Sequence, residues 1–375
     1  MILAIVAAFA IVGCKQDNTV AEFEKEMNAY VDSAGVVGMS LAVVKDNKII
    51  YNQSFGVKNL ETGEPVDENT IFRIASISKS FTTTSLLQLV EQGKLGLKDD
   101  VSDLIGYKVR NPKFPDTVIT LEMLLSHTSS INDNEGYWET IDIINPDVNP
   151  DYGLCYNDYE PGKGYEYCNL NLNMAGTILE RYSGERFDQY VVHHVLEPLG
   201  LYGGYCVDSL DASRFGHIYE WDSEKGEFED TYPDSYNPRS EKVANYTMGH
   251  DALIFSPTGG MKISALDLAK YMMMHMNYGT SPLNGARIIS EELSKEMQIP
   301  RSSDENYGLS LWLADDYSAP GVVLVGHTGG AYGLRSLMFF DPEKKFGYTV
   351  ICSGCKVNDI LNGSGSIIYK HFIAE

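Results

Sequence analysis

The order of patterns along this chain predicts a mixed α/β fold: an antiparallel five-stranded sheet flanked by helices, with a helical domain inserted. Two strand-like runs lie near the start and three near the end, with helix and loop between them. Strands from both ends that share one sheet leave the middle as an insertion. No internal repeat or low-complexity linker separates the parts. The α/β part is expected over about 20–90 and 255–375, and the helical part over about 91–254.

In chain order, Val20, Phe23, Met27 and Tyr30 recur at helical spacing and predict a helix over 20–33. Met39–Lys45 and Ile49–Val57 alternate around Asp46-Asn47, a hairpin signal. Good helix positions run from Leu86 to Glu91. Val322–Val325, Leu334–Phe340 and Tyr348–Cys352 read as strands, and Ile360–Ile373 as a closing helix.

A net charge of −23 leaves no basic stripe to neutralise phosphates, which argues against nucleic acid and anionic lipid surfaces. Ile2–Val12 is apolar but too short to span a bilayer. With Ile11-Val12-Gly13-Cys14 it reads as a lipoprotein signal over 1–14, cut before Cys14 and lipidated on that thiol. The chain is therefore expected in the cell envelope, held to a membrane only through this anchor. Five further cysteines stand at 155, 168, 206, 352 and 355, an odd number, so at least one stays unpaired within a monomer. A Cys155–Cys168 bridge is left open. Cys352-Ser353-Gly354-Cys355 reads as strand-end packing, because no thioredoxin-like context surrounds it.

Chemistry enters at Ser76-Ile77-Ser78-Lys79. Residues three apart on a helix share a face, which brings the Lys79 amine to the Ser76 hydroxyl. A serine hydroxyl is a weak nucleophile until a base activates it. Serine before a helix is commonly only a cap, so the motif needs company. It has Tyr167-Cys168-Asn169 and, after an apolar run, His327-Thr328-Gly329-Gly330. There is no G-x-S-x-G elbow, phosphate-binding Walker loop or H-E-x-x-H pair.

This ordered set resembles the penicillin-binding protein and class C-like β-lactamase superfamily, which includes D-Ala-D-Ala peptidases and related esterases. Leu124-Leu125-Ser126-His127-Thr128-Ser129, Ser256-Pro257-Thr258-Gly259-Gly260-Met261 and Tyr307-Gly308-Leu309 resemble further segments of it, in the same order from about residue 20 onward. The resemblance implies a β-lactamase/transpeptidase-like fold and a serine hydrolase. Ser76 would attack an amide, ester or lactam carbonyl, and Lys79 and Tyr167 would move protons. Asn169 would orient Lys79 and substrate, Thr328, Gly329 and Gly330 would contact substrate, and His327 would add a proton source or partial positive charge. A genuine class C-type β-lactamase and a non-catalytic protein of the same fold are the alternatives. His127 is expected to be structural. No cofactor or metal is implied. The partner is a small-molecule or peptide substrate, and the chain is expected to be a monomer.

Residues 132–160 hold eight Asp or Glu and no Lys or Arg, with aromatics interspersed. This loop is either a solvated excursion or a pocket wall that favours a cationic or aromatic ligand.

Overall fold

A computed structural model describes residues 19–374; the expected signal and Cys14 lie outside them. Helix α1 covers 19–33, as its apolar spacing requires, and leads into the hairpin β1 (Gly38–Lys45) and β2 (Lys48–Gly56). Asp46 and Asn47 turn the hairpin at φ of 52° and 60°, the left-handed region that these two residues tolerate. Helix α2 (Ser78–Glu91) follows, then a loop-rich unit around α3 (Asn169–Ser183), and α4 (Ala265–Met276). The chain closes with β3 (Trp312–Ala314), β4 (Leu324–Ala331), β5 (Leu334–Asp341), β6 (Phe346–Cys352) and α5 (Ile360–Phe372).

These strands form one sheet in the order β2-β1-β6-β5-β4-β3, antiparallel throughout. The sheet has six strands rather than the five expected. The added strand, β3, is three residues long, too short to show a period of two. Leu41 and Val43 of β1 face a core shared with α1 and α5, while Ala42 and Val44 face the core that holds α2 and α4. Burial on both faces explains why β1 is almost wholly apolar. Phe23 of α1 meets Tyr51 at 5.0 Å and Phe372 at 4.8 Å, tying both outer helices to the first hairpin. Edge-on pairs of this kind add about 0.5–1.5 kcal/mol beyond their buried area.

Helix α2 runs between the sheet and the inserted unit and is buried from Ser78 to Leu87. Its hydroxyls avoid the cost of burial by bonding backbone carbonyls: Ser80 to Ile77 at 2.8 Å, Ser85 to Phe81 at 2.9 Å and Thr82 to Pro257 at 2.8 Å. Helix α3 packs across it. A Cβ at Gly176 of α3 would lie 2.3 Å from Pro257, so glycine permits the approach that seats the next residue, Thr258.

Candidate active site

Ser76 sits in a one-turn 3-10 segment, Ala75–Ile77, that runs directly into α2. Lys79 is one turn further on, and its Nζ donates to Ser76 Oγ at 3.0 Å, as the spacing predicts. The same amine donates to Asn169 Oδ1 at 2.9 Å and to the Thr258 carbonyl at 2.9 Å. These three contacts fix the amine on three elements: the α2 entry, the start of α3 and the 256–261 segment. Lys79 is completely buried. Burial pulls its pKa down to about 7, against the opposing pull of Asp133 and Cys168. A large fraction of the amine is therefore neutral near pH 7 and able to accept a proton.

Tyr167 packs its ring 4.7 Å from the Lys79 ammonium position, with its hydroxyl close to Ser76. Burial drives its hydroxyl well above the ordinary tyrosine range, so it holds its proton. Ser76 thus touches one group that can take a proton and one that can give it.

His327 and Thr328 lie on β4 itself. Ser76, Tyr165, Tyr167, Glu305, Tyr307, Trp312, His327, Thr328 and Gly330 line a cavity of about 270 Å³ over the serine. His327 departs from expectation. Burial, with Lys79 second, pushes it down to about 3, so it carries no positive charge near neutral pH. The Thr328 carbonyl, 2.5 Å from Nδ1, can only accept, which places the proton there. Nε2 then accepts from the Tyr307 hydroxyl at 2.9 Å. Gly329 also departs from expectation, because it is buried and absent from the cavity wall. A Cβ there would meet the Ile74 carbonyl at 2.2 Å, so this glycine lets β4 approach the Ser76 turn. Gly330 lies exposed at the rim.

Asp133 is the main addition to the residues read from sequence. Its carboxylate accepts from the Asn169 N–H at 2.8 Å, Asn169 Nδ2 at 2.9 Å and the Leu170 N–H at 2.9 Å. It caps α3 from 36 residues upstream and holds the Asn169 amide with Oδ1 toward Lys79. Thr258 Oγ1 donates to that same oxygen at 2.8 Å. No local spacing signals a cap supplied from such a distance. His127, expected to be structural, accepts the Cys168 N–H at Nδ1, 3.2 Å away, and lies 4.4 Å from the Tyr167 ring. Ser130, where the resembled segment has glycine, adopts the left-handed φ of 61° that glycine would supply. Cys155 and Cys168 are separate thiols, and Cys168 Sγ turns to Asp133.

The chain matches the Beta-lactamase family over residues 23–359. It is 28% identical to Protein flp of Staphylococcus aureus (strain MW2) over 44% of its own length, and spans only 34% of that protein. Among solved structures it is similar to an octameric penicillin-binding protein homologue from Pyrococcus abyssi, with a TM-score of 0.72 and 27% identity over 92% of this chain and 76% of that one. It also shares the fold of a D-amino acid amidase from Ochrobactrum anthropi SV3, with a TM-score of 0.70 and 21% identity over 93% of this chain and 97% of the other. The chain belongs to the Beta-lactamase family of serine hydrolases.

Proposed function

We propose that this protein hydrolyses esters or amides, including D-amino-acid peptides or amides, through an acyl-enzyme on Ser76, in preference to β-lactams. The observation that carries this reading is the wholly buried Lys79 amine, 3.0 Å from the Ser76 hydroxyl and lowered to about 7. In acylation Lys79 takes the Ser76 proton as Oγ bonds the carbonyl carbon. The oxyanion is held by the backbone N–H groups of Ser76 and Gly330. As the carbon–heteroatom bond breaks, Tyr167 gives its proton to the leaving group and regains one from Lys79. Water then repeats the sequence on the acyl-enzyme. Asn169 orients Lys79, and Thr328 offers its hydroxyl to the substrate.

A neutral His327 offers no fixed cation on β4 to the carboxylate of a β-lactam, which favours substrates that do not depend on one at that position. The test compares kcat/KM for p-nitrophenyl butyrate, a D-Ala-D-Ala peptide, D-phenylalanine amide and nitrocefin. Esters or D-amino-acid substrates should lead. Nitrocefin hydrolysed at about 10⁶ M⁻¹s⁻¹ or faster, with the others far behind, would make the protein a class C-type β-lactamase.

We further propose lipid anchoring at Cys14 in the cell envelope, with a single chain as the active unit. Detergent partitioning lost in Cys14→Ser supports the anchor, and an unmodified N-terminus ahead of Cys14 refutes it. Size-exclusion chromatography would reveal any octamer like that of the archaeal relative.

A further inference from the structure

A second cavity, of about 390 Å³, adjoins the site, and its chemistry is opposite to the acidic surface of the chain. Its walls continue the elements that hold Lys79. Asn173 lies one turn beyond Asn169 on α3, Ser256 lies two residues before Thr258, and Tyr332 lies two residues after Gly330. Arg73, three residues before Ser76, donates from Nε to the Gly259 carbonyl at 2.8 Å. Tyr137 from the acidic loop closes one side, its carbonyl held by Asn173 Nδ2 at 2.6 Å.

Three cations, Arg73, Arg239 and Lys242, face this cavity against one carboxylate, Asp234. None of the three forms an ion pair among the described residues. That is unusual in a chain with 52 acidic and 29 basic side chains, where counterions are abundant. Arg239 Nε is buried with no hydrogen-bond partner. Its guanidinium is disfavoured first by burial and then by the charge on Arg73, which stacks over Tyr332 at 5.0 Å. Gathering unpaired cations costs free energy that an anion between them would recover. Guanidinium forks match carboxylate oxygens in pairs. The acidic loop, which the sequence allows as a solvated excursion or a pocket wall favouring a cationic or aromatic ligand, lends this cavity Tyr137 and Trp138 but no carboxylate.

We propose that this cavity is an anion subsite that holds a carboxylate carried by the substrate while the scissile carbonyl lies at Ser76. The inference rests on the hydrolase reading and narrows it to acyl substrates with an anionic group, on either side of the broken bond. The aromatic rings of Tyr137, Trp138 and Tyr332 then pack against the carbon chain that bears the carboxylate.

The test uses three esters: p-nitrophenyl hexanoate, mono-p-nitrophenyl adipate and 3-carboxy-4-nitrophenyl hexanoate. These carry no carboxylate, one on the acyl group and one on the leaving group. One carboxylated ester should exceed the neutral one in kcat/KM by at least about tenfold, the effect of a single charge-assisted hydrogen bond. Arg239→Gln should collapse that ratio, and Arg239→Lys should restore part of it. Equal values for all three esters would overturn the subsite. Calorimetric titration of the Ser76→Ala protein with adipate separates binding from chemistry. Saturable heat that disappears on adding Arg239→Gln supports the subsite even if no ester is turned over, in which case only the hydrolase reading falls. No saturable heat from a folded protein overturns the subsite.

Discussion

Two regions of this molecule each bury a lysine, and only one of them sets the amine against a hydroxyl. Lys79 and Lys262 are both sealed from solvent and both pulled down by burial. Lys262 lies on the short strand Lys262–Ile263, where its Nζ donates to the Tyr205 carbonyl at 2.9 Å. That partner can only accept, so the amine ties two backbone segments. Lys79 instead shares its donors among two carbonyl oxygens and a hydroxyl that can give up its own proton. Burial lowers both amines. What sets Lys79 apart is a hydroxyl partner that could pass it a proton.

Mutation can break that comparison. Ser76→Ala should have the largest effect, abolishing labelling by a fluorophosphonate or fluorescent penicillin while circular dichroism stays native. Lys79→Met comes next, with kcat/KM for p-nitrophenyl butyrate falling by roughly 10²–10⁴, the usual value of a positioned base. Lys262→Met should leave that rate unchanged. An equal loss in both lysine variants would show that burial, not contact with Ser76, governs the rate.

Asp133→Asn tests how the Lys79 region is held, and it makes a signed prediction. Asp133 raises the Lys79 pKa, so removing its charge lowers that value further. The rising limb of kcat/KM against pH should therefore move to lower pH, while kcat falls because Asn169 loses its anchor. A scaffold-only role would reduce activity without moving the limb.

Much of this site was legible because it is local. Ser76 and Lys79 meet within one helical turn, and the β4 motif keeps its spacing on a regular strand. The fold was legible where periodicity was long, as in α1, β1, β5 and α5. It failed at β3, where three residues cannot show a period. The charge of His327 was misread for a different reason. Sequence shows an imidazole but not the burial that empties it of its second proton. Asp133, Arg73 and Arg239 gain meaning only through contacts with distant segments, so neither the Asn169 anchor nor the cationic cavity leaves a sequence pattern.

The pH profile of the wild-type protein follows from the same burial. Neutral Lys79 is the competent form, so kcat/KM should rise with pH through about 7 and then level off. His327, at about 3, stays neutral across that range and adds no limb. His327→Asn should therefore lower the rate without shifting the rise. If the limb vanished or moved in that variant, the titrating group would be the histidine.

Tyr307→Phe should have a small effect on rate and a measurable one on stability. The Tyr307 hydroxyl donates to His327 Nε2, while Nδ1 spends its proton on the Thr328 carbonyl. Removing the hydroxyl leaves a buried acceptor unsatisfied, at a cost of about 1–3 kcal/mol in denaturant unfolding. Turnover should fall by less than about tenfold, because Ser76, Lys79 and Tyr167 keep their contacts. A loss on the Lys79→Met scale would instead mean that a proton passes between Tyr307 and His327 during turnover. The neutral imidazole would then be a relay, and the contrast between a reactive amine and its inert surroundings would have to be redrawn around β4.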